Sequence, residues 1–297
     1  MNTKEKVAVI LPSYDEADAI GQVLDKLLPM AAEHGWQVIL VDDGSTDGTG
    51  KIAAEHGAKV LTHDQNRGYG ASLSTALTKT DADIVVFMDA DGQQNPGDIT
   101  RLLEHTDQHD MVVGARTKDS HVDAYRLFGK RVLIWFANYL AKEKIPDINS
   151  GFRAFRRDVL LRYLHLMPPG FSFSATSTFA MLKGGHQIKW VPIKTTKRIG
   201  TSTVKQLRHG PETMMLMLRL TVLFDPLRVF LPTSGMLMLL AIIATAANII
   251  QDFLNGIYRL AVPATALFLA ISAVIIFMLG LVTDQVSAIR REQHRSL

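Results

Sequence analysis

Two stretches of this chain, 229–251 and 260–283, contain no charged residue, although Asp, Glu, Lys and Arg make up 21% of the whole. A bilayer core about 30 Å thick takes about 20 apolar helical residues to cross. Both stretches are long enough, and only QDFLNGIYR joins them. They predict two transmembrane helices in a tight hairpin, with a buried helical pair of a soluble domain as the alternative. A hairpin returns the chain to the side it came from. Lys205, Arg208, Arg219 and Arg228 precede it and Arg290, Arg291 and Arg295 follow it, whereas the loop has only Arg259 beside Asp252. Basic flanks stay on the cytoplasmic side, so both termini are expected in the cytoplasm, at an inner-membrane address. The opening MNTKEKVAVILPSY has too short an apolar stretch for a secretory signal.

The chain has no cysteine, which excludes disulfides and thiolate chemistry. Its net charge of +3 is mild, and the basic excess gathers beside the membrane segment. That placement points to anionic lipid and phosphate and not to nucleic acid. Ahead of the hairpin, 212–224 (ETMMLMLRLTVLF) reads as an interfacial amphipathic helix, with a core helix as the alternative.

The first half alternates short apolar runs with helical patterns. VAVILP (7–12), VILVDD (38–43), AKVLTH (58–63), IVVFMDAD (84–91) and MVVGAR (111–116) each end in polar or turn residues. Near-continuous β-branched runs of this kind predict strands buried on both faces, in a mainly parallel sheet covered by crossover helices. The fold class is therefore α/β, doubly wound, followed by interfacial helices and a two-helix hairpin. Ligands of such sheets bind beyond the carboxyl ends of the strands. The unusual residues lie at those ends: Pro12 to Glu16, Asp42 and Asp43, Asp89 and Asp91, and Arg116. After Arg116 the strand signal thins. YRLFGKRVLIWFANYLAK (125–142) reads as an amphipathic helix, SATSTFAMLKGG as a helix of small residues and HQIKWVPI as a strand. The expected units are 1–204 for the α/β domain, 205–228 for juxtamembrane helices, 229–284 for the hairpin and 285–297 for a basic tail.

FMDADGQQ (87–94) ends a buried strand on two carboxylates one residue apart. A solvated turn, a calcium loop and a divalent-cation site compete to explain it. The calcium loop fails, because neither DADGQQNPGDIT nor DDGSTDGTGKIA supplies the ligand spacing of an EF-hand. Asp89 and Asp91, with Gln93, can reach one Mg²⁺ or Mn²⁺ that leaves places for phosphate oxygens. GYGASL is only a partial dinucleotide fingerprint, GFSFS lacks the context of a serine nucleophile, and the histidines form no clustered zinc set.

LPSYDEA, VDDGSTDGT, NRGYGASLSTAL and DADGQQNP follow one another in an order that resembles the family 2 glycosyltransferases over residues 5–205. GART, DINSGFR and the two-helix tail look most like the polyprenyl-phosphate glycosyltransferases within that family. The resemblance implies a GT-A fold, a UDP- or GDP-linked sugar donor and a polyprenyl phosphate acceptor. It implies that Pro12, Tyr14, Glu16, Asp42 or Asp43, and Gly68 lie against the nucleotide, and that Asp89, Asp91 and Gln93 hold the cation. Arg116, Arg131, Ser150, Arg198, Ser202 and Lys205 match positions expected near phosphate.

Between Ser150 and Leu231 the only acids are Asp158, Glu212 and Asp225, and none lies in GFSFSATSTFAMLKGG. Transfer to a hydroxyl needs a base to take its proton. A phosphate acceptor is already anionic and needs none, so the pattern favours inverting transfer to a lipid phosphate. Another lipid or glycan acceptor, and a non-catalytic membrane adaptor, are the rival readings. Self-association through the hairpin is left open, as are the sugar and the base.

Overall fold

The computed structural model describes residues 5–117, 138–140, 143–199, 206–256 and 261–295. They form two compact units, Met1–Met217 and Leu218–Leu297. In the first, strands β1 (Val7–Ser13), β2 (Gln37–Asp42), β3 (Lys59–Thr62) and β4 (Ile84–Phe87) alternate with helices α1 (Ala17–His34), α2 (Thr49–Glu55) and α3 (Tyr69–Lys79). Helix α4 (Asp98–Leu103), β5 (Met111–Arg116), β6 (Arg153–Arg156), α5 (Arg157–Arg162), α6 (Phe173–Lys183) and β7 (Ile188–Ile193) complete the sheet. The strand order is β3-β2-β1-β4-β6-β5-β7.

Successive side chains of a strand point to opposite faces, and β1 divides its apolar residues accordingly. Val9 and Leu11 pack with Ile20, Leu24 and Leu27 of α1 on one face. Ala8 and Ile10 pack with Leu73, Ala76 and Leu77 of α3 on the other. Burial on both faces explains the unbroken apolar runs. Helix α1 stops where Gly35 takes a left-handed conformation (φ 74°), open to glycine without a side-chain penalty.

The pairings of β1 with β2 and β4, of β2 with β3, and of β5 with β7 are parallel, as the sequence predicts. Strand β6 is the addition. It runs antiparallel to both β4 and β5, with Ala154 opposite Val86 on one side and Val112 on the other. RAFR is too short and too charged to announce itself as an interior strand. It becomes one because Ala154 and Phe155 are fully buried between the neighbouring strands. Phe155 and Phe173 both meet Phe87, with ring centroids 5.2 and 5.8 Å away.

The remaining helices are α7 (Gln206–Phe224), α8 (Leu227–Leu254) and α9 (Ala264–Arg295). Both α8 and α9 are long and apolar enough to cross a membrane. Most of their large side chains face outward, including Leu239, Leu254, Phe268 and Ile275. They pack through small residues: a Cβ on Gly280 would stand 2.7 Å from Cβ of Phe230. The Ser287 hydroxyl donates to the Leu223 carbonyl at 3.0 Å, which ties α9 to the end of α7. Helix α9 continues to Arg295, so the basic residues expected as a separate tail extend the helix. The amphipathic helix expected over 125–142 lies almost wholly outside the described residues, as do Arg131, Ser202 and Lys205.

Candidate active site

The loop after β1 and the loop after β2 are sewn together by hydrogen bonds. The backbone N–H of Asp15 donates to Ser45 Oγ, that of Glu16 to Thr49 Oγ1 and that of Ala17 to Asp47 Oδ2, all within 3.0 Å. In return Thr46 N–H donates to Asp15 Oδ1 at 2.8 Å. Asp15 has φ 52°, a left-handed conformation that Asp tolerates better than most side chains. This stitching holds Tyr14 and Glu16 at the mouth of the sheet, while Pro12 is buried within β1 opposite Val41.

Asp42 and Asp43 have different roles. Asp42 accepts from Ser45 N–H at 2.9 Å at the end of β2. Asp43 is buried, and both its oxygens are engaged: Oδ1 with His63 Nδ1 at 2.6 Å and Arg67 N–H at 2.9 Å, Oδ2 with Gly68 N–H at 2.7 Å. His63 passes the chain on to Thr75 Oγ1 at 2.9 Å. Asp43 therefore braces the loop that ends at Gly68, while Asp42, also buried, packs its Oδ2 against Gly50. Gly68 (φ 100°) is needed as glycine, since a Cβ there would meet the Pro169 carbonyl oxygen at 2.6 Å.

Asp89 and Asp91 follow β4. Asp89 accepts from Gln94 Nε2 at 2.6 Å and from the Tyr69 hydroxyl at 3.1 Å, and its own N–H donates to Gln94 Oε1. Asp91 accepts from Gln93 N–H at 3.0 Å and faces Arg198, whose Nη1 is 3.4 Å away. Arg198 also pairs with Glu16, so one guanidinium joins carboxylates from the ends of β1 and β4. Gln93 contributes its backbone to Asp91, while its side-chain amide donates to the Thr196 carbonyl at 3.4 Å.

The charge in this cluster is under-compensated. Burial, with Asp91 adding to it, pushes the Asp89 carboxyl up to about 6. Burial pushes Glu16 up to about 7 against the pull of Arg198, and raises Asp91 as well. A folded pKa above the unfolded value means that the native state binds the extra proton between the two. The ligand-free protein should therefore lose stability as pH rises from about 4 through 7, as Asp89 and then Glu16 ionise. Thermal unfolding in detergent without divalent ions should give a higher midpoint at pH 5 than at pH 8; a midpoint that rises with pH would contradict this charge balance.

A hard divalent cation fits these donors. Asp89 and Asp91 offer carboxylate oxygens whose negative charge is under-neutralised, and the buried Ser13 Oγ has no hydrogen-bond partner among the described residues; Arg198 Nε, also without one, is a donor suited to an anion and not to the ion. Mg²⁺ commonly takes one or two protein carboxylates and completes its shell with water and phosphate. Among the described residues no three His, Asp or Glu side chains form a fuller cage. The sequence does carry one pair at metal-ligand spacing, His105 and His109, but His109 Nδ1 bonds the His105 carbonyl at 3.1 Å.

On the other side of Asp89, Arg116 forms a two-pronged pair with buried Asp147, Nε to Oδ2 at 2.6 Å and Nη2 to Oδ1 at 2.9 Å. The Ser150 hydroxyl is buried and donates to the Gly114 carbonyl at 2.6 Å. Ser150 is thus a strut of the 147–151 turn in this structure. Arg198, grouped by sequence with acceptor residues, lies in this structure beside Glu16 and Asp91. A Cβ on Gly151 would stand 2.7 Å from both Asp89 Oδ1 and the Tyr69 hydroxyl oxygen. Gly151→Ala should move Asp89 and cut turnover about 10- to 100-fold while the unfolding midpoint changes little. Steady-state assay beside thermal unfolding checks it, and unimpaired turnover would show that the turn yields.

Four residues that sequence reasoning passes over complete the site: Tyr69 and Gln94, which hold Asp89, Asp147, which orients Arg116, and Arg153 beneath them. Arg153 is fully buried yet donates from Nε to Ser150 O, from Nη2 to Ile148 O and from Nη1 to Ser174 O. Ser177 Oγ and Thr178 Oγ1 also receive Nη1, at 3.1 and 2.8 Å. The polar residues of SATST on α6 thus solvate a cation in the core. The signal was present as buried-looking serines and threonines without an apolar stripe.

A mostly parallel α/β sheet with paired carboxylates beyond β4 and stitched loops beyond β1 and β2 has the architecture of a GT-A glycosyltransferase. Residues 8–164 match the model for glycosyl transferase family 2, and residues 225–289 match the GtrB C-terminal hairpin. The chain belongs to glycosyl transferase family 2. It is 28% identical to undecaprenyl-phosphate mannosyltransferase of Micrococcus luteus, over 65% of this chain and 84% of that protein. It is 26% identical to glycosyltransferase AglJ of Haloferax volcanii, over 100% of this chain and 99% of that one. Among solved structures, glucosyl-3-phosphoglycerate synthase of Mycobacterium tuberculosis, in complex with Mn²⁺, UDP and glucosyl-3-phosphoglycerate, has the same fold. Its TM-score is 0.60 at 21% identity, over 73% of this chain and 80% of that one.

Proposed function

We propose that this protein moves one sugar from a nucleotide diphosphate donor to a polyprenyl phosphate at the cytoplasmic face of a membrane, with inversion at the anomeric carbon. The supporting observation is the pairing, in one chain, of a carboxylate-rimmed GT-A site with a hairpin of two membrane-length helices. The undecaprenyl-phosphate transferase among its relatives agrees with that reading. Residues 1–204 carry the chemistry, 205–228 lie at the membrane surface, and 229–251 and 260–283 anchor the chain with both termini cytoplasmic.

The acceptor's phosphate oxygen attacks the anomeric carbon. The bond from that carbon to the donor's β-phosphate oxygen breaks, and the nucleoside diphosphate leaves with the electron pair. No proton has to be removed, because the nucleophile is an anion at neutral pH. Tyr14, Glu16 and Asp42 line the nucleotide side, with Pro12 beneath them and Asp43 and Gly68 shaping the adjoining loop. Asp89 and Asp91 would hold Mg²⁺ or Mn²⁺, with Gln93 supplying the turn; when bound, the ion would neutralise charge on the leaving diphosphate. Ser150 supports the 147–151 turn, and Arg116, oriented by Asp147, meets the incoming phosphate with the help of the Ser202 hydroxyl and of two further cations, Arg131 and Lys205. These cations offset the repulsion between two anions that must touch.

The test is an assay of the full chain in detergent with a short polyprenyl phosphate, a panel of labelled UDP- and GDP-sugars, and Mg²⁺, Mn²⁺ or chelator. Metal-dependent label in the lipid is the expected result. Donor hydrolysis without labelled lipid would overturn the acceptor, and donor turnover in chelator would overturn the cation. No turnover with any donor would favour a binding role.

A further inference from the structure

Arg198 is held where a cation would act. Its Nη1 lies 3.4 Å from Asp91 Oδ2, and its Nη2 pairs with Glu16 Oε1. Of the carboxylates that converge here, Asp89, Asp91 and Glu16, two share this single guanidinium. Asp89 is held by uncharged partners, Tyr69 and Gln94. The third nitrogen, Nε, is buried without a partner among the described residues, so the present pose leaves one donor unsatisfied. Leaving a buried donor orphaned is unfavourable. The pose is therefore a compromise that a better acceptor can displace.

The backbone around Arg198 is not free to follow. Thr196 N–H donates to Gln93 O at 2.9 Å, Thr196 Oγ1 to Gly92 O at 3.1 Å and Ile199 N–H to Asp91 O at 3.1 Å. Ile199 also packs over Gly92, where a Cβ would approach its Cδ1 to 2.8 Å. The segment is sewn to the turn that carries Asp91, so a change of partner at Arg198 falls to its side chain.

We propose that Arg198 is the site's own counter-ion: it neutralises Glu16 and Asp91 in the ligand-free protein, competes with the divalent cation for Asp91, and turns to the donor diphosphate once the cation is bound. This rests on the donor-site reading above and adds to it an order of events. A divalent ion arriving alone has to displace an arginine, whereas an ion arriving with a diphosphate gives that arginine a new acceptor. Cation and diphosphate then bind with positive coupling, each raising the affinity of the other by the same factor.

The test uses the full chain in detergent at one pH and measures Mn²⁺ affinity by the paramagnetic signal of the free ion, alone and with inorganic pyrophosphate. In Arg198→Gln, Mn²⁺ alone should bind about tenfold tighter than in the wild type, and pyrophosphate should bind the Mn²⁺ form about tenfold more weakly. Arg198→Lys, which keeps the charge but not the two-pronged reach, should fall between them. Lys197→Ala removes an exposed neighbouring charge and should leave both affinities within about twofold. Unchanged or weaker Mn²⁺ binding in Arg198→Gln would overturn the proposal, as would a similar gain in Lys197→Ala. If neither wild type nor any variant binds Mn²⁺, the donor-site reading itself falls.

Discussion

Asp91→Asn should lower turnover by about a thousandfold or more while the protein remains folded. Asp91 is buried at the end of β4, and its Oδ1 accepts the Gln93 N–H at 3.0 Å. An asparagine oxygen can keep that bond, so the turn survives. What disappears is the carboxylate charge, which burial already disfavours and which the proposed cation needs. The weak contact to Arg198 at 3.4 Å is also lost, but its stabilising share is small at that distance and partial exposure. The two structural effects oppose each other, and the unfolding midpoint should stay within about 3 °C of the wild type. Turnover near the wild-type rate would sink the assignment of Asp91 to the cation.

Arg153→Met has the opposite profile, with the damage in the fold. The two side chains are similar in length, so a cavity is not the main effect. The carbonyls of Ile148, Ser150 and Ser174 lose their guanidinium partner, whereas the hydroxyls of Ser177 and Thr178 retain a bond to Ser174 O. Orphaned buried polar groups cost about 1–3 kcal/mol each. Against this stands relief from burying a cation, whose pKa burial depresses to about 10, still charged at neutral pH. Ser174 O keeps the two hydroxyls, but the carbonyls of Ile148 and Ser150 are left without their guanidinium donor; these two outweigh that relief, and a net loss of about 2–4 kcal/mol is expected. Arg153→Lys should lose less, since it keeps one of the three bonds. Urea midpoints in detergent at constant m-value measure both; a Met variant as stable as the wild type would mean that the polar face of α6 reorganises.

These two residues also separate what periodicity exposes from what it hides. The strands β1, β2, β4 and β5 are legible because burial on both faces demands continuous apolar side chains. Their carboxyl ends are legible because Asp42, Asp43, Asp89 and Asp91 interrupt those runs abruptly. Strand β6 was not legible: its four residues include two arginines, and its place is decided by the gap between β4 and β5. Tyr69, Gln94 and Asp147 each look like ordinary polar surface residues until the chain brings them to Asp89 and Arg116. Ser150 and Asp43, read as ligand contacts, prove to be braced within the protein because neighbouring backbone groups need acceptors and donors there.

The amino-acid sequence by itself determined the α/β class, the family and the presence of two membrane-length helices. Each depends on local periodicity, composition and the order of short motifs, and none needs a partner distant in the chain. The tertiary structure alone decided which carboxylates are shared, braced or left under-compensated. Glu16 and Arg198 lie 182 residues apart and meet only because β1 and β4 are neighbours in the sheet and the 196–199 segment is sewn to the turn after β4. Charge acts through space, and the distance that sets it comes from the fold.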